Sequence, residues 1–121
     1  VMPEFIKKCV LNKTFTVQGN GKESRSFCYI SDAINAIKLI SQHINGRNEI
    51  FNIGTGESLS IKKLSFLIKK LTNFKGKILF DKNYPDGTIN KNLDNKRIGL
   101  LNWKAKIKLV DGLKKIIDQK I

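Results

Sequence analysis

Strand-like and helix-like runs alternate along this chain, and the alternation predicts an α/β fold. Two further observations support it. Ile61, Leu64, Leu67, Ile68 and Leu71 recur at helical spacing behind Ser60, with Lys62, Lys63, Lys69 and Lys70 on the opposite face. Short β-branched and aromatic runs are cut off by glycine-containing turns.

The elements follow in order. Residues 3 to 11 read as a short helix, because Pro3 suits a first turn and Phe5, Ile6, Cys9 and Val10 share one face. Residues 14 to 17 read as a strand. Gly19-Asn20-Gly21-Lys22 is a tight turn, and residues 25 to 30 are a second strand. Ser31 is expected to cap a helix through about Ile44, with Ala33, Ile37, Ile40 and Ile44 on its apolar face and Gly46 ending it. Residues 49 to 53 read as a short buried strand closed by Gly54-Thr55-Gly56, and Ser60 opens the lysine-flanked helix. Residues 77 to 80 are a strand that enters a Pro85-Asp86-Gly87 turn, a shaped polar loop. Asp94 is expected to cap a short helix reaching Leu101. Trp103 anchors a loop, residues 106 to 108 are extended, and a last helix runs from about Val110.

At 121 residues the chain is a single region, 1–121, with 40% hydrophobic residues, enough for a core. No apolar run approaches the roughly 20 residues of a membrane span. The first residues carry Pro3, Glu4, Lys7 and Lys8 rather than an apolar core, so no signal peptide is expected. A start at Val1 rather than Met points to a fragment or an incomplete reading frame.

The formal charge of +13 invites a nucleic-acid reading. Lys supplies 20 of the 23 basic residues, and Lys, Ile and Asn together make up 49 positions. A bias shared by basic, apolar and neutral residues fits AT-rich coding better than selection for phosphate contacts. Base-reading surfaces favour Arg and clustered aromatics, and neither cluster is present, so nucleic acid is not the expected partner. Cys9 and Cys28 lie on apolar runs outside any CxxC, and a single His leaves no zinc spacing. Two buried free thiols fit a cytoplasmic protein.

Catalytic patterns are missing. Gly19-Asn20-Gly21 and Gly54-Thr55-Gly56 are each half of a dinucleotide fingerprint, without the third glycine, and read as turns. No Tyr-x-x-x-Lys pair occurs, and no triad can be built around His43, a solvated residue. The acidic residues mostly sit at helix starts and turns, where short carboxylates bond backbone amides. What remains is anion recognition. Arg25 opens a strand after a glycine turn and could grip a pyrophosphate with two parallel bonds, or form an ion pair at a strand edge. Lys91, just past the Pro-Asp-Gly turn, is one lysine among twenty.

Four segments add a resemblance. They are Val1-Met2-Pro3-Glu4-Phe5-Ile6-Lys7-Lys8, Thr16 to Gly21 with Arg25-Ser26-Phe27-Cys28-Tyr29-Ile30-Ser31-Asp32-Ala33, Asn52-Ile53-Gly54-Thr55-Gly56, and the tail with Asp86-Gly87-Thr88, Lys91, Leu93-Asp94, Trp103 and Leu109 to Leu113. Together they resemble the C-terminal, substrate-binding portion of the NAD-dependent epimerases and dehydratases of the extended short-chain dehydrogenase/reductase type. The tail is most similar to the GDP-L-fucose synthase branch.

The resemblance implies NAD(P) for the complete enzyme, bound in an N-terminal Rossmann domain most of which this chain lacks. It implies a nucleoside-diphosphate sugar as ligand, with Arg25 on its phosphate and Lys8, Gln18, Asp86 and Lys91 around it. It implies residues 31–56 packed on the Rossmann sheet, a homodimer for the complete enzyme, catalytic Ser, Tyr and Lys upstream, and no catalysis by this chain alone. Gln18 stands where the fucose synthases carry a Trp beside the substrate, and Ile89 stands in place of a Pro. The alternative is a small basic α/β module that binds RNA or an acidic protein.

Overall fold

The computed structural model describes residues 1–43, 48–85 and 87–119. The first helix, α1, spans Met2–Val10 and buries Phe5, Ile6 and Cys9. Strand β1, Phe15–Gln18, alternates buried and exposed residues and pairs in parallel with β4, Ile78–Asp81, in the register Phe15↔Ile78 and Val17↔Phe80. A second sheet has the order β3-β2-β5. Its central strand β2, Ser24–Arg25, runs antiparallel to β3, Leu59–Ser60, and parallel to β5, Asn90–Lys91.

Helix α3, Ile61–Leu71, begins as its sequence predicts, with the Ser60 hydroxyl accepting from the Lys63 N–H at 3.2 Å. Its buried face of Ile61, Leu64 and Ile68 packs with α1 and α5, Leu109–Asp118, in a core that also holds Phe15 and Val17 of β1. Phe5, Phe15 and Phe74 stack in the same core, with ring centroids 4.7 and 6.2 Å apart in sequence. The α/β prediction therefore holds.

Several local expectations do not. Helix α2, Ile30–Gln42, starts one residue before Ser31, with Tyr29 as its cap and no side-chain bond. It ends at Gln42 with His43 as its C-cap, and the expected Ile44 and Gly46 lie outside the described residues. Ile34 and Ile37 on this helix are exposed while Ala36 is fully buried. The expected strand over 25 to 30 shortens to β2, because Phe27 to Tyr29 turn away to pack on α5. There Tyr29 lies against Gly112, where an added Cβ would stand 2.8 Å from the ring. The expected strand over 49 to 53 has no ladder partner among the described residues, and Ile50 is 82% exposed. Side chains hold that segment instead. Arg97 bonds Glu49 and the Ile50 carbonyl, both at 2.9 Å, Asn52 donates to the Asp94 carbonyl, and Asn95 donates to the Gly54 carbonyl at 2.7 Å. Asp94 does accept an amide, from Lys96 at 2.9 Å, but Asn95 is the cap of α4, Lys96–Gly99.

Candidate functional site

The site starts at the glycine turn after β1. Gly19 and Gly21 hold positive φ values of 76° and 70°, and the Asn20 side-chain Oδ1 accepts the Lys22 amide at 2.7 Å. Gly21 is closely confined, since a Cβ there would stand 3.0 Å from Phe80 and 3.1 Å from Lys62. The turn is tied to the start of α3 by bonds from Lys62 N–H to the Gly21 carbonyl and from Ile61 N–H to the Glu23 carbonyl, both 2.9 Å. This fixes where β2 begins and therefore where Glu23 and Arg25 point.

Arg25 is half-buried. Its Nη1 donates to the Ser24 carbonyl at 2.7 Å and to the Thr88 carbonyl at 2.8 Å. A guanidinium presents five N–H donors in a planar fork, so two carbonyls do not exhaust it. Of the two expected roles, neither recorded ion pair involves Arg25, so the strand-edge ion pair does not form with a described residue. Arg25 stands between two clefts. One, of about 990 Å³, is lined by Val1 to Phe5, Thr16 to Gln18, Glu23, Arg25, Pro85 and Gly87. The other, of about 410 Å³, is lined by Arg25, Phe27, Thr55, Glu57 and residues 104–109.

The remaining expected site residues divide. Gln18 is exposed and lines the larger cleft. Lys91 is the parallel-register neighbour of Arg25, so both side chains leave the same face of the sheet, and Lys91 is exposed. Asp86 lies outside the described residues. Lys8 is not brought to either cleft. It sits two turns into α1 and pairs with Glu4 at 3.8 Å across exposed surface, a contact of little energetic weight.

Sequence reasoning missed Glu23. It is 8% exposed, and its Oε1 accepts the Gly87 N–H at 3.1 Å. The available signal was period two, which puts Glu23 on the same face as Arg25. Asp32 also does something the sequence did not suggest. Its Oδ2 accepts the amides of Lys106 at 3.0 Å and Ile107 at 2.9 Å, which fastens the far wall of the smaller cleft.

Both cysteines are free. Cys9 is buried as expected, whereas Cys28 is only partly so. Burial raises both thiols above their ordinary pKa. At Cys9 the Thr72 hydrogen bond and the Lys69 charge pull back the other way, and at Cys28 the Asp32 charge adds to the rise. Among the described residues no group of His, Cys, Asp and Glu could hold a metal. No helix there is long and apolar enough to cross a membrane.

The chain is similar to known proteins in sequence and in fold. Residues 1–54 match the model of the NAD dependent epimerase/dehydratase family. The chain is 35% identical over 97 residues to a probable GDP-L-fucose synthase of Oryza sativa, covering 80% of this chain and 29% of that protein. It is 33% identical over 118 residues to a putative UDP-glucose 4-epimerase of Methanocaldococcus jannaschii, covering 98% and 38%. The chain is a relative of the NAD dependent epimerases and dehydratases. Its fold superposes on a UDP-glucose 4-epimerase of Thermotoga maritima, solved with UDP-glucose, at a TM-score of 0.88 and 26% identity, over 97% of this chain and 38% of that one. The chain therefore spans about a third of the length of these family members.

The dinucleotide these enzymes use does not fit the glycine pairs of this chain. A pyrophosphate site of that kind needs a glycine turn that opens directly into a helix. Gly19-Asn20-Gly21 leads instead into β2, and Gly54-Thr55-Gly56 into β3.

Proposed function

We propose that this chain is the sugar-nucleotide-binding part of an NAD(P)-dependent epimerase or reductase, and that the cleft between β1, Arg25 and Gly87 receives the nucleoside diphosphate. The observation that carries the reading is Arg25. It is held in place by two backbone carbonyls, borders two clefts and has Lys91 beside it on the same sheet face. Two adjacent cations on one face suit a pyrophosphate, whose oxygens match the guanidinium fork. Gln18 at the cleft wall offers both a donor and an acceptor to sugar hydroxyls or a base. NAD(P) belongs to the rest of such an enzyme in this reading, and the homodimer of the complete enzyme is likewise part of the proposal.

The test is titration of this chain, and of Arg25→Lys and Arg25→Ala, with GDP, UDP and their sugar conjugates by calorimetry. Arg25→Lys keeps the charge and loses the paired bond, so affinity falls. Arg25→Ala falls further, by about 2 to 3 kcal/mol, the range of charge-assisted bonds. Equal binding by all three chains removes Arg25 from the site. A parent chain that ignores every nucleotide but retains RNA at physiological salt supports the small basic module instead.

A further inference from the structure

Three consecutive residues, Glu23 to Arg25, grip residues 87 to 89. Glu23 accepts the Gly87 N–H at 3.1 Å, Ser24 N–H donates to the Ile89 carbonyl at 2.7 Å, and Arg25 Nη1 donates to the Thr88 carbonyl at 2.8 Å. Glu23 and Arg25 are two residues apart, so extended backbone sends both side chains to one face. One supplies an acceptor and the other a donor to adjacent residues of the turn. β5 begins only at Asn90, so the contacts to Gly87 and Thr88 come from side chains rather than from the sheet ladder. A carboxylate with 8% exposure needs hydrogen bonds to offset its lost hydration, and among the described residues Glu23 forms no ion pair.

We propose that Glu23 is a positioning residue. Its buried carboxylate holds Gly87 and, with Arg25 on Thr88, forms a two-point clamp that sets Gly87 in the wall of the cleft. The same clamp fixes Arg25, so an arriving phosphate meets a fork already oriented, which lowers the ordering cost of binding. The proposal deepens the nucleoside-diphosphate reading and rests on it for what the cleft receives.

Two variants of near-equal volume separate acceptor from bulk. Glu23→Gln keeps an oxygen acceptor and Glu23→Met does not. In the full chain, amide exchange at Gly87 is followed by NMR, and affinity for GDP and UDP is measured by calorimetry. Glu23→Met is expected to speed Gly87 exchange about tenfold, the size of one lost hydrogen bond, and to weaken diphosphate binding by a similar factor. The amides of Leu64 and Ile68 should not change, and Glu23→Gln should restore both readouts. Unchanged Gly87 exchange in Glu23→Met overturns the clamp. So does exchange that quickens at Leu64 and Ile68 as well, because Glu23 then supports the fold at large. A freed Gly87 with undiminished affinity overturns the positioning role. If the parent binds neither GDP nor UDP, the nucleotide reading fails, while Gly87 exchange still decides whether Glu23 holds the turn.

Discussion

Cys9 shows how one residue's environment governs its chemistry. It is 3% exposed, and burial pushes its thiol above the ordinary 9.0, more than the Thr72 bond and Lys69 lower it. Thiolate is the reactive form, so iodoacetamide at pH 8 is expected to label Cys9 far more slowly in the folded chain than in urea. Equal rates would show that the core opens freely. The sign of the linkage follows. The folded state holds this proton more tightly than the unfolded one, so the stabilisation is fully present below pH 9.0 and is lost as pH rises through the raised folded value. The gap in urea midpoint between the parent and Cys9→Ala should narrow from pH 8 to pH 10.5. A constant gap would mean the thiol titrates normally in the core.

Helix ends show what the sequence reading overlooked. Asn12 and Asn73 follow the ends of α1 and α3 with positive φ values of 52° and 53°. Each closes a left-handed cap, through Lys13 N–H to the Lys8 carbonyl at 2.8 Å and Phe74 N–H to the Lys69 carbonyl at 3.1 Å. These asparagines looked like products of a compositional bias, yet Asn tolerates this conformation better than other non-glycine residues. Asn73→Ala should therefore lower stability by about 1 kcal/mol, while Asn73→Gly should match or exceed the parent, both read from urea unfolding. An Ala variant as stable as the parent would mean the cap relaxes elsewhere. Strongly periodic elements were legible: α1, α3, α5, β1 and β4 fall within a residue or two of the sequence reading. The segments that failed depend on distant partners. Residues 26 to 29 follow α5 through the Tyr29–Gly112 contact, and residues 49 to 54 follow the 94–97 stretch. Neither partner can be read from local pattern. The candidate site was legible in the same uneven way. Arg25 and Gln18 line one cleft, Lys91 is the register neighbour of Arg25 but lines neither cleft, Lys8 lines neither, and Glu23 emerges only once β2 and residues 87–89 are seen together.

For the whole molecule, the apolar surface is divided unevenly. The core gathers α1, β1, α3 and α5 around Leu64 and Ile68, both fully buried. α2 stands apart from it, with Ile30, Ile34 and Ile37 between 55% and 65% exposed on one helix. Ile50, in the segment that follows α2, is more exposed still. Clustered apolar exposure of this kind marks a surface made for a partner. In our reading residues 31–56 pack on the remainder of the enzyme. Without that cover, the chain is expected to self-associate and to unfold at modest temperature. Sedimentation velocity across a concentration series should show oligomers, and Ile34→Lys with Ile37→Lys should disperse them. The paired substitution should leave the melting midpoint within a few degrees of the parent, because neither side chain reaches the core. If the double variant unfolds the chain, α2 is part of the core in solution. If the parent stays monomeric at high concentration and melts sharply above about 65 °C, beyond the usual mesophile range, then the α2 face needs no cover and its assignment as a docking surface fails.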